Sequence, residues 1–331
     1  MINRGEKTMK AIVQDEYGSV DVLELREIDV PRLGDDEVLV RVHAAGVDRG
    51  VWHLMTGLPY PIRLAGYGFR APKNPVLGSD VAGVVEAVGK AVSGFQLGDE
   101  VFGVAKGSYA EYAVIPADKL APKPTTLSFE EAAAVPTSAC TALQGLRDKG
   151  NVQPGQDVLI IGASGGVGTY AVQLAKAFGA QVTGVCSTSK VDLVRSIGAD
   201  HVIDYKTADF ADGQDIYDLI LDIGGNAALS RLRRPLRNDG KLVITGGETD
   251  GRWLGGSDRQ VRAQMLSLFV GQKLGTFIAS VEKDDLMVLK ELIEDGKVTP
   301  VIDRSYALSD TAEAIVYLND GHARGKVVIS V

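Results

Sequence analysis

A chain of 331 residues with 45% hydrophobic side chains has room for two domains of about 100–200 residues each, with enough apolar volume to fill both cores. Its net charge of −8, with acids and bases interspersed, offers no basic stripe to a nucleic acid backbone. The longest apolar runs, at 158–161 and 182–186, fall far short of the roughly 20 residues that span a bilayer, so neither nucleic acid nor membrane is an expected partner.

In chain order, the opening stretch carries charges where a secretory leader would be apolar, and this predicts a cytoplasmic protein. Residues 10 to about 120 read as short strands separated by Gly, Pro and Asp. EVLVRVHAAGV (37–47) alternates like a half-buried strand, GSDVAGVVEAVG (78–89) has Gly at its bends, and GSYAEYAVIP (107–116) stops at a proline. Together these predict a largely antiparallel β domain. From 157 to about 280, strands at 157–161, 181–185, 218–222, 241–245 and 273–278 alternate with helical segments, as in a parallel sheet with crossover helices. A βαβ-like tail follows: a helix over 286–296, a helix over 309–320 capped by Ser309 or Asp310, and a closing strand at 326–331. Cys140 and Cys186, the only cysteines, are too far apart for a metal knuckle and read as reduced, buried thiols.

The strand at 158–161 runs into Gly162-Ala163-Ser164-Gly165-Gly166-Val167-Gly168 and then into TYAVQLAKAFGA, which is apolar at helical spacing. Strand, glycine-rich turn and helix in that order form a dinucleotide fingerprint. With Gly165 and Gly168 at its second and third glycines, Ala163 falls where the first usually sits. Gly165 lets backbone approach a pyrophosphate, Gly168 lets helix pack on sheet, and the helix start offers N–H groups to phosphate. A tight turn without ligand is the alternative. At the end of the next strand, an acid would bind a ribose 2′-hydroxyl and repel a 2′-phosphate. That place holds Cys186-Ser187-Thr188, with Lys190 two residues on, so NADPH is the expected cofactor: Ser187 and Thr188 can donate to a phosphate and Lys190 adds charge. Otherwise Lys190 is a solvated lysine opening a helix.

Over nearly its whole length the chain resembles the medium-chain dehydrogenase/reductases, and among them the zinc-independent quinone oxidoreductase branch that includes zeta-crystallin. The likeness rests on AAGVD (44–48), PVLGSDVAGVVEAVG (75–89), GDEVFG (98–103), GSYAEYAV (107–114), VPTSACTALQGL (135–146), GASGGVG (162–168), GADHVIDY (198–205) and GKVVI (325–329). It implies an α/β chain: a GroES-like β-rich catalytic domain from 1–130 and 284–331, a Rossmann domain with a doubly wound parallel sheet at 131–283, and an active site in the cleft between them. It also implies a homodimer through the edge strand near 272–279. The zinc ligands of the alcohol dehydrogenase branch are replaced. Asp48 stands for the first cysteine, Ser79-Asp80 for the His-Glu pair, and Cys140 lies at best near the third ligand. The four-cysteine lobe is absent, and His43, His53, His201 and His322 show no metal spacing, so no metal is expected.

Carried over residue by residue, the resemblance gives Gly165, Gly166 and Gly168 to the pyrophosphate, with Ser164 and Val167 in the same turn. It gives Lys190 to the 2′-phosphate and Tyr205 to the adenosine ribose phosphate, and places Thr137 near the nicotinamide. Thr245, Gly246 and Gly247 follow a strand at the carboxyl edge, where ligands collect. Arg324 and Lys326 lie where the C-terminal segment returns to the cofactor, or else are a solvated pair. For Tyr205 the alternative is packing, for Thr137 a bond to its own helix, and for the 245–247 stretch a plain turn. On the substrate side Asp48 replaces an asparagine, and either orients another group or is protonated. His53 replaces a tyrosine and could give a proton to the reduced oxygen, or merely line the loop. Tyr60 sits one residue beyond a family tyrosine, in an extended 59–75 segment that shapes the pocket.

Without a metal to take up an alkoxide charge, hydride transfer is easier to a quinone or α,β-unsaturated carbonyl, which spreads the charge over a conjugated oxygen. The expected activity is NADPH-dependent reduction of such a small molecule. The alternatives are an alcohol or aldehyde dehydrogenase without catalytic zinc and an NADPH-binding protein with a non-catalytic role.

Overall fold

Alternating valines in EVLVRVHAAGV build the central strand of the first sheet. The computed structural model describes residues 8–212, 216–246, 251–253 and 255–331, which form two compact units. Val38, Val40 and Val42 face the core, and from Ala44 to Val47 the strand is buried throughout. The strands here are β1 (Thr8–Val13), β2 (Glu24–Asp29), β3 (Glu37–Val47), β4 (Asp80–Val88), β5 (Glu100–Val104), β6 (Tyr112–Pro116) and β7 (Leu120–Pro122). Helix α1 (Arg49–Thr56) follows β3, α2 (Phe129–Ala133) has a Ser128/Glu131 capping box, and α3 (Pro136–Gln144) leads into the second unit.

The second unit has six parallel strands: β8 (Asp157–Ile161), β9 (Gln181–Cys186), β10 (His201–Asp204), β11 (Tyr217–Asp222), β12 (Leu236–Ile244) and β13 (Lys273–Thr276). Between them run α4 (Gly166–Ala177), α5 (Val191–Ser196), α6 (Leu229–Arg233) and α7 (Ser257–Ser267). The order β10-β9-β8-β11-β12-β13 reverses direction between β8 and β11, which makes that junction the switch point of a doubly wound sheet. Val158, Leu159 and Ile160 are fully buried, as a parallel strand covered on both faces requires. Two differences from the sequence reading stand out. The short strand β10 joins the sheet, and β12 starts five residues earlier than 241 because exposed residues 237–239 run in extended backbone before the paired core.

The chain then returns to the first unit through α8 (Lys283–Glu294), β14 (Ile302–Ala307), α9 (Thr311–Asn319) and β15 (Lys326–Ser330). The seven-stranded order is β14-β15-β3-β4-β5-β7, with β6 also on β3. β14 and β15 are parallel, the exception in an otherwise antiparallel sheet. Neither Ser309 nor Asp310 caps α9 through its side chain; Asp310 holds the capping position and accepts from Ser309. The first unit comprises residues up to Thr137, Val281–Glu294 and Ile302–Val331. Asp295–Val301 belongs to the second unit, where the Gln173 amide of α4 both donates to Thr299 O at 3.0 Å and accepts from Thr299 N at 2.8 Å.

Candidate active site

The glycine-rich turn leaves β8 at the switch point. Gly162 has φ +87°, a left-handed conformation that glycine adopts freely, and so supplies the sharp turn that the fingerprint reading sought at 163. The equal 162/165/168 spacing was the signal in the sequence. Ala163 is fully buried, and Gly184 of β9 makes room for its methyl: a Cβ added at 184 would lie 3.0 Å from Ala163 Cβ. At Gly168 a Cβ would meet Gly162 O at 2.0 Å, so only glycine lets α4 pack this closely. A Cβ at Gly165 would meet only Gly162 O, at 3.6 Å, which leaves the turn open for a group to approach. Gly165 is also the N-cap of α4 and brings no side chain to satisfy the first-turn N–H groups of Gly166, Val167 and Gly168. Ser164 is buried within the same turn. These features fit a pyrophosphate, with the residues present forming its cradle.

At the end of β9, Asp204 of β10 changes the reading. Its Oδ2 accepts from the Thr188 hydroxyl at 2.6 Å and its Oδ1 from Lys206 N at 3.0 Å, and these bonds hold the carboxyl below the usual range. Thr188 has one hydroxyl proton and gives it to Asp204 in this structure. Ser187 and Lys190 lie half-buried between β9 and the start of α5. Tyr205 is exposed, its N–H tied to Cys186 O at 3.1 Å, and burial raises the Cys186 thiol.

Across the switch point, Thr245 N donates to Asp222 O at 2.9 Å, and a Cβ at Gly246 would meet Ile223 O at 1.9 Å. The loops after β11 and β12 therefore stack backbone on backbone. Gly247 lies outside the described residues. Asp222 is completely buried and faces Arg259 of α7, with Arg259 Nη1 at 2.8 Å; burial pushes its carboxyl up to about 6 against the pull of that guanidinium.

In the first unit, Asp48 caps α1, its Oδ1 accepting from Val51 N at 3.3 Å, while Oδ2 is buried without a hydrogen-bond partner. His53, one α1 turn further on, has Nδ1 2.7 Å from Leu58 O. That carbonyl only accepts, so Nδ1 carries the proton and Nε2 is the acceptor nitrogen of the neutral ring. Giving a proton through Nε2 requires the imidazolium. Tyr60 packs its ring 5.1 Å from the Arg63 guanidinium, which also lies 4.4 Å from the Tyr17 ring and donates to Gly57 O at 2.8 Å.

Asp80 and Lys326 form the second buried pair. Asp80 Oδ1 accepts from both the backbone N–H (3.0 Å) and the hydroxyl of Thr137, and Oδ2 lies 3.4 Å from Lys326 Nζ. The two side chains are 0% and 2% exposed, so Lys326 is neither solvated nor turned outward to a ligand; it neutralises Asp80. Burial raises the Asp80 carboxyl, opposed by Lys326. Arg324, by contrast, is exposed, with only its backbone N–H bound to Asp303 at 3.1 Å. Thr137 bonds to Asp80 and not merely to its own helix. Asp80 is thus held by Thr137 and Lys326, while Asp48 caps α1 through one oxygen only. Among the described residues no three His, Cys, Asp or Glu side chains gather around a metal position.

Residues 34–125 match the alcohol dehydrogenase GroES-like domain, and residues 197–329 match the family described as zinc-binding dehydrogenase. The chain is 35% identical to the 2-methylene-furan-3-one reductase of Solanum lycopersicum, over 97% of this chain and 79% of that one. The chain belongs to the quinone oxidoreductase branch of the medium-chain dehydrogenase/reductases. Within that branch it is also 35% identical to the chloroplastic NADPH-dependent alkenal/one oxidoreductase of Arabidopsis thaliana, over 98% of this chain and 80% of that one. Its fold is that of the quinone oxidoreductase from Coxiella burnetii, with a TM-score of 0.86 at 28% identity, covering 98% and 100% of the two chains.

Proposed function

We propose that this chain is a reductase that uses NADPH to reduce a quinone or an α,β-unsaturated carbonyl, without zinc. The observation that carries the reading is near-full-length similarity to reductases named for NADPH and for alkenal or furanone acceptors. When bound, NADPH supplies a hydride. The chain's own residues bind and orient. The open turn at Gly165, with the first N–H groups of α4, takes the pyrophosphate. Ser187, Lys190 and Tyr205 take the 2′-phosphate end, and Thr245 and Gly246 border the nicotinamide half. Thr137, held by Asp80, stands near the nicotinamide, and Arg324 borders the cofactor. Asp48, His53 and Tyr60 form the acceptor side, with an imidazolium at His53 as the proton donor. Asp80 and Lys326 satisfy each other where the dehydrogenase branch builds its metal site, which supports zinc-free chemistry.

The residues up to 137 with the returning C-terminal segments serve as the catalytic domain. A homodimer and the cytoplasm are parts of the same proposal; among the described residues no helix is long and apolar enough to cross a membrane. Purified protein is expected to oxidise NADPH on adding 1,4-benzoquinone, 9,10-phenanthrenequinone or a 2-alkenal. NADPH binding with no turnover on any of them would instead mark a non-catalytic role, and NADP⁺-dependent oxidation of simple alcohols alone would favour the dehydrogenase alternative.

A further inference from the structure

We propose that Arg259 is a positioning residue for cofactor binding: from α7 its guanidinium fixes the two loops that border the nicotinamide half of the crevice in the second unit. The inference deepens the proposed function and rests on its dinucleotide reading. Two loop carbonyls and the carboxylate at the end of β11 converge on this one side chain. Nη1 lies 2.8 Å from Asp222 Oδ2 and donates to Ala227 O at 3.0 Å, both on the β11 side, and Nη2 donates to Gly246 O at 3.0 Å, just after β12. Only 11% of the side chain is exposed. Asp222 is the last residue of β11 and is itself fully buried, so the positive charge is balanced where it is needed.

The position of this clamp relates it to the cofactor. In a doubly wound sheet a dinucleotide lies across the switch point, with its pyrophosphate at the turn after β8. The adenosine half then lies toward β9 and β10, and the other half toward β11 and β12. Arg259 touches only the latter loops. They are packed backbone to backbone, Gly246 against Ile223 O and Gly162 against Gly224 N, where added Cβ atoms would lie at 1.9 and 2.9 Å. A shift of the Gly246 loop is therefore passed to its neighbours. A lysine cannot replace the clamp, because one ammonium does not reproduce the planar fork that spans both loops.

The test compares NADPH with 2′,5′-ADP, which carries the adenosine and phosphate end alone, by titration against wild type, Arg259→Gln and Arg259→Lys. Losing charge-assisted bonds to two loops should weaken NADPH on the order of tenfold in Arg259→Gln. The change for 2′,5′-ADP should stay within about twofold on the same grounds, and Arg259→Lys should fall between wild type and Gln. Asp222→Asn, which keeps an acceptor oxygen beside the guanidinium, should shift NADPH in the same direction by less. Equal weakening of both ligands would mean general loosening of the unit and overturn the proposal, as would unchanged NADPH affinity in all variants. If wild type binds neither ligand, the dinucleotide reading falls and this proposal with it. If wild type binds NADPH and the variants match it, this proposal alone falls.

Discussion

Asp204 is the partner of Thr188 beside the end of β9, yet no sequence window there contains it. It arrives from β10, whose pairing sets Asp204 opposite Cys186, and it takes the one proton of the Thr188 hydroxyl. Replacing Asp204 by Ala removes the charge and, leaving no acceptor oxygen, frees that hydroxyl. The group is solvent-exposed, so screening keeps the effect modest: a fall of about two- to fivefold in the KM for NADPH, with NADH little changed. Unchanged or weaker NADPH use would show that Asp204 does not face the phosphate.

Asp222 gives a pH signature. Its carboxyl is raised in the folded protein to about 6 from an ordinary value near 3.8, so the fold binds this proton more tightly than the unfolded chain does. Its contribution to stability is therefore full below the unfolded value and lost as pH rises through about 6. Relative to Asp222→Asn, whose side chain does not titrate, the wild type should lose melting temperature from pH 4 to 6.5 and hold a constant difference above. A wild type that gains on the variant over that range would show the Arg259 pair to outweigh desolvation. At this scale the turn geometry of Gly165 and Gly168 was legible, because it follows from local order. Asp204, Arg259 and the Asp80–Lys326 pair depend on contacts between distant segments and left no local mark.

At the scale of elements, the strands of the second unit were legible because buried parallel strands are short continuous apolar runs. β10 was not read as a strand, since HVID is half-buried and four residues long. β15 was legible as the closing strand, but β14, its parallel partner across α9, was not assigned from the sequence, its residues being half-buried or exposed. β13 is an edge strand of the six-stranded sheet, and Ile278 beyond it is 98% exposed, with Leu268 and Phe269 after α7 also open. A paired edge and covered apolar residues are what a second copy would provide. Light scattering should therefore give twice the 35.1 kDa chain mass, and a monomer at micromolar concentration would contradict the homodimer.

For the whole molecule, the decisive event is the return of the C-terminus. β15 pairs with β3 and carries Lys326 to Asp80, 246 positions away in the chain. That closure places the Lys326 side chain against the buried Asp80 carboxylate. It also sets Thr137, through Asp80, at the junction of the two units' sequences. The fold class was readable from the switch between strand-rich and alternating segments, while the Asp80–Lys326 ion pair, formed between distant segments, was not. The most direct test of the account is steady-state NADPH oxidation with 1,4-benzoquinone and a 2-alkenal, before and after exhaustive treatment with a zinc chelator. It predicts turnover that chelation leaves unchanged and that NADH supports far less well; absence of turnover with every acceptor, or its loss on chelation, would contradict it.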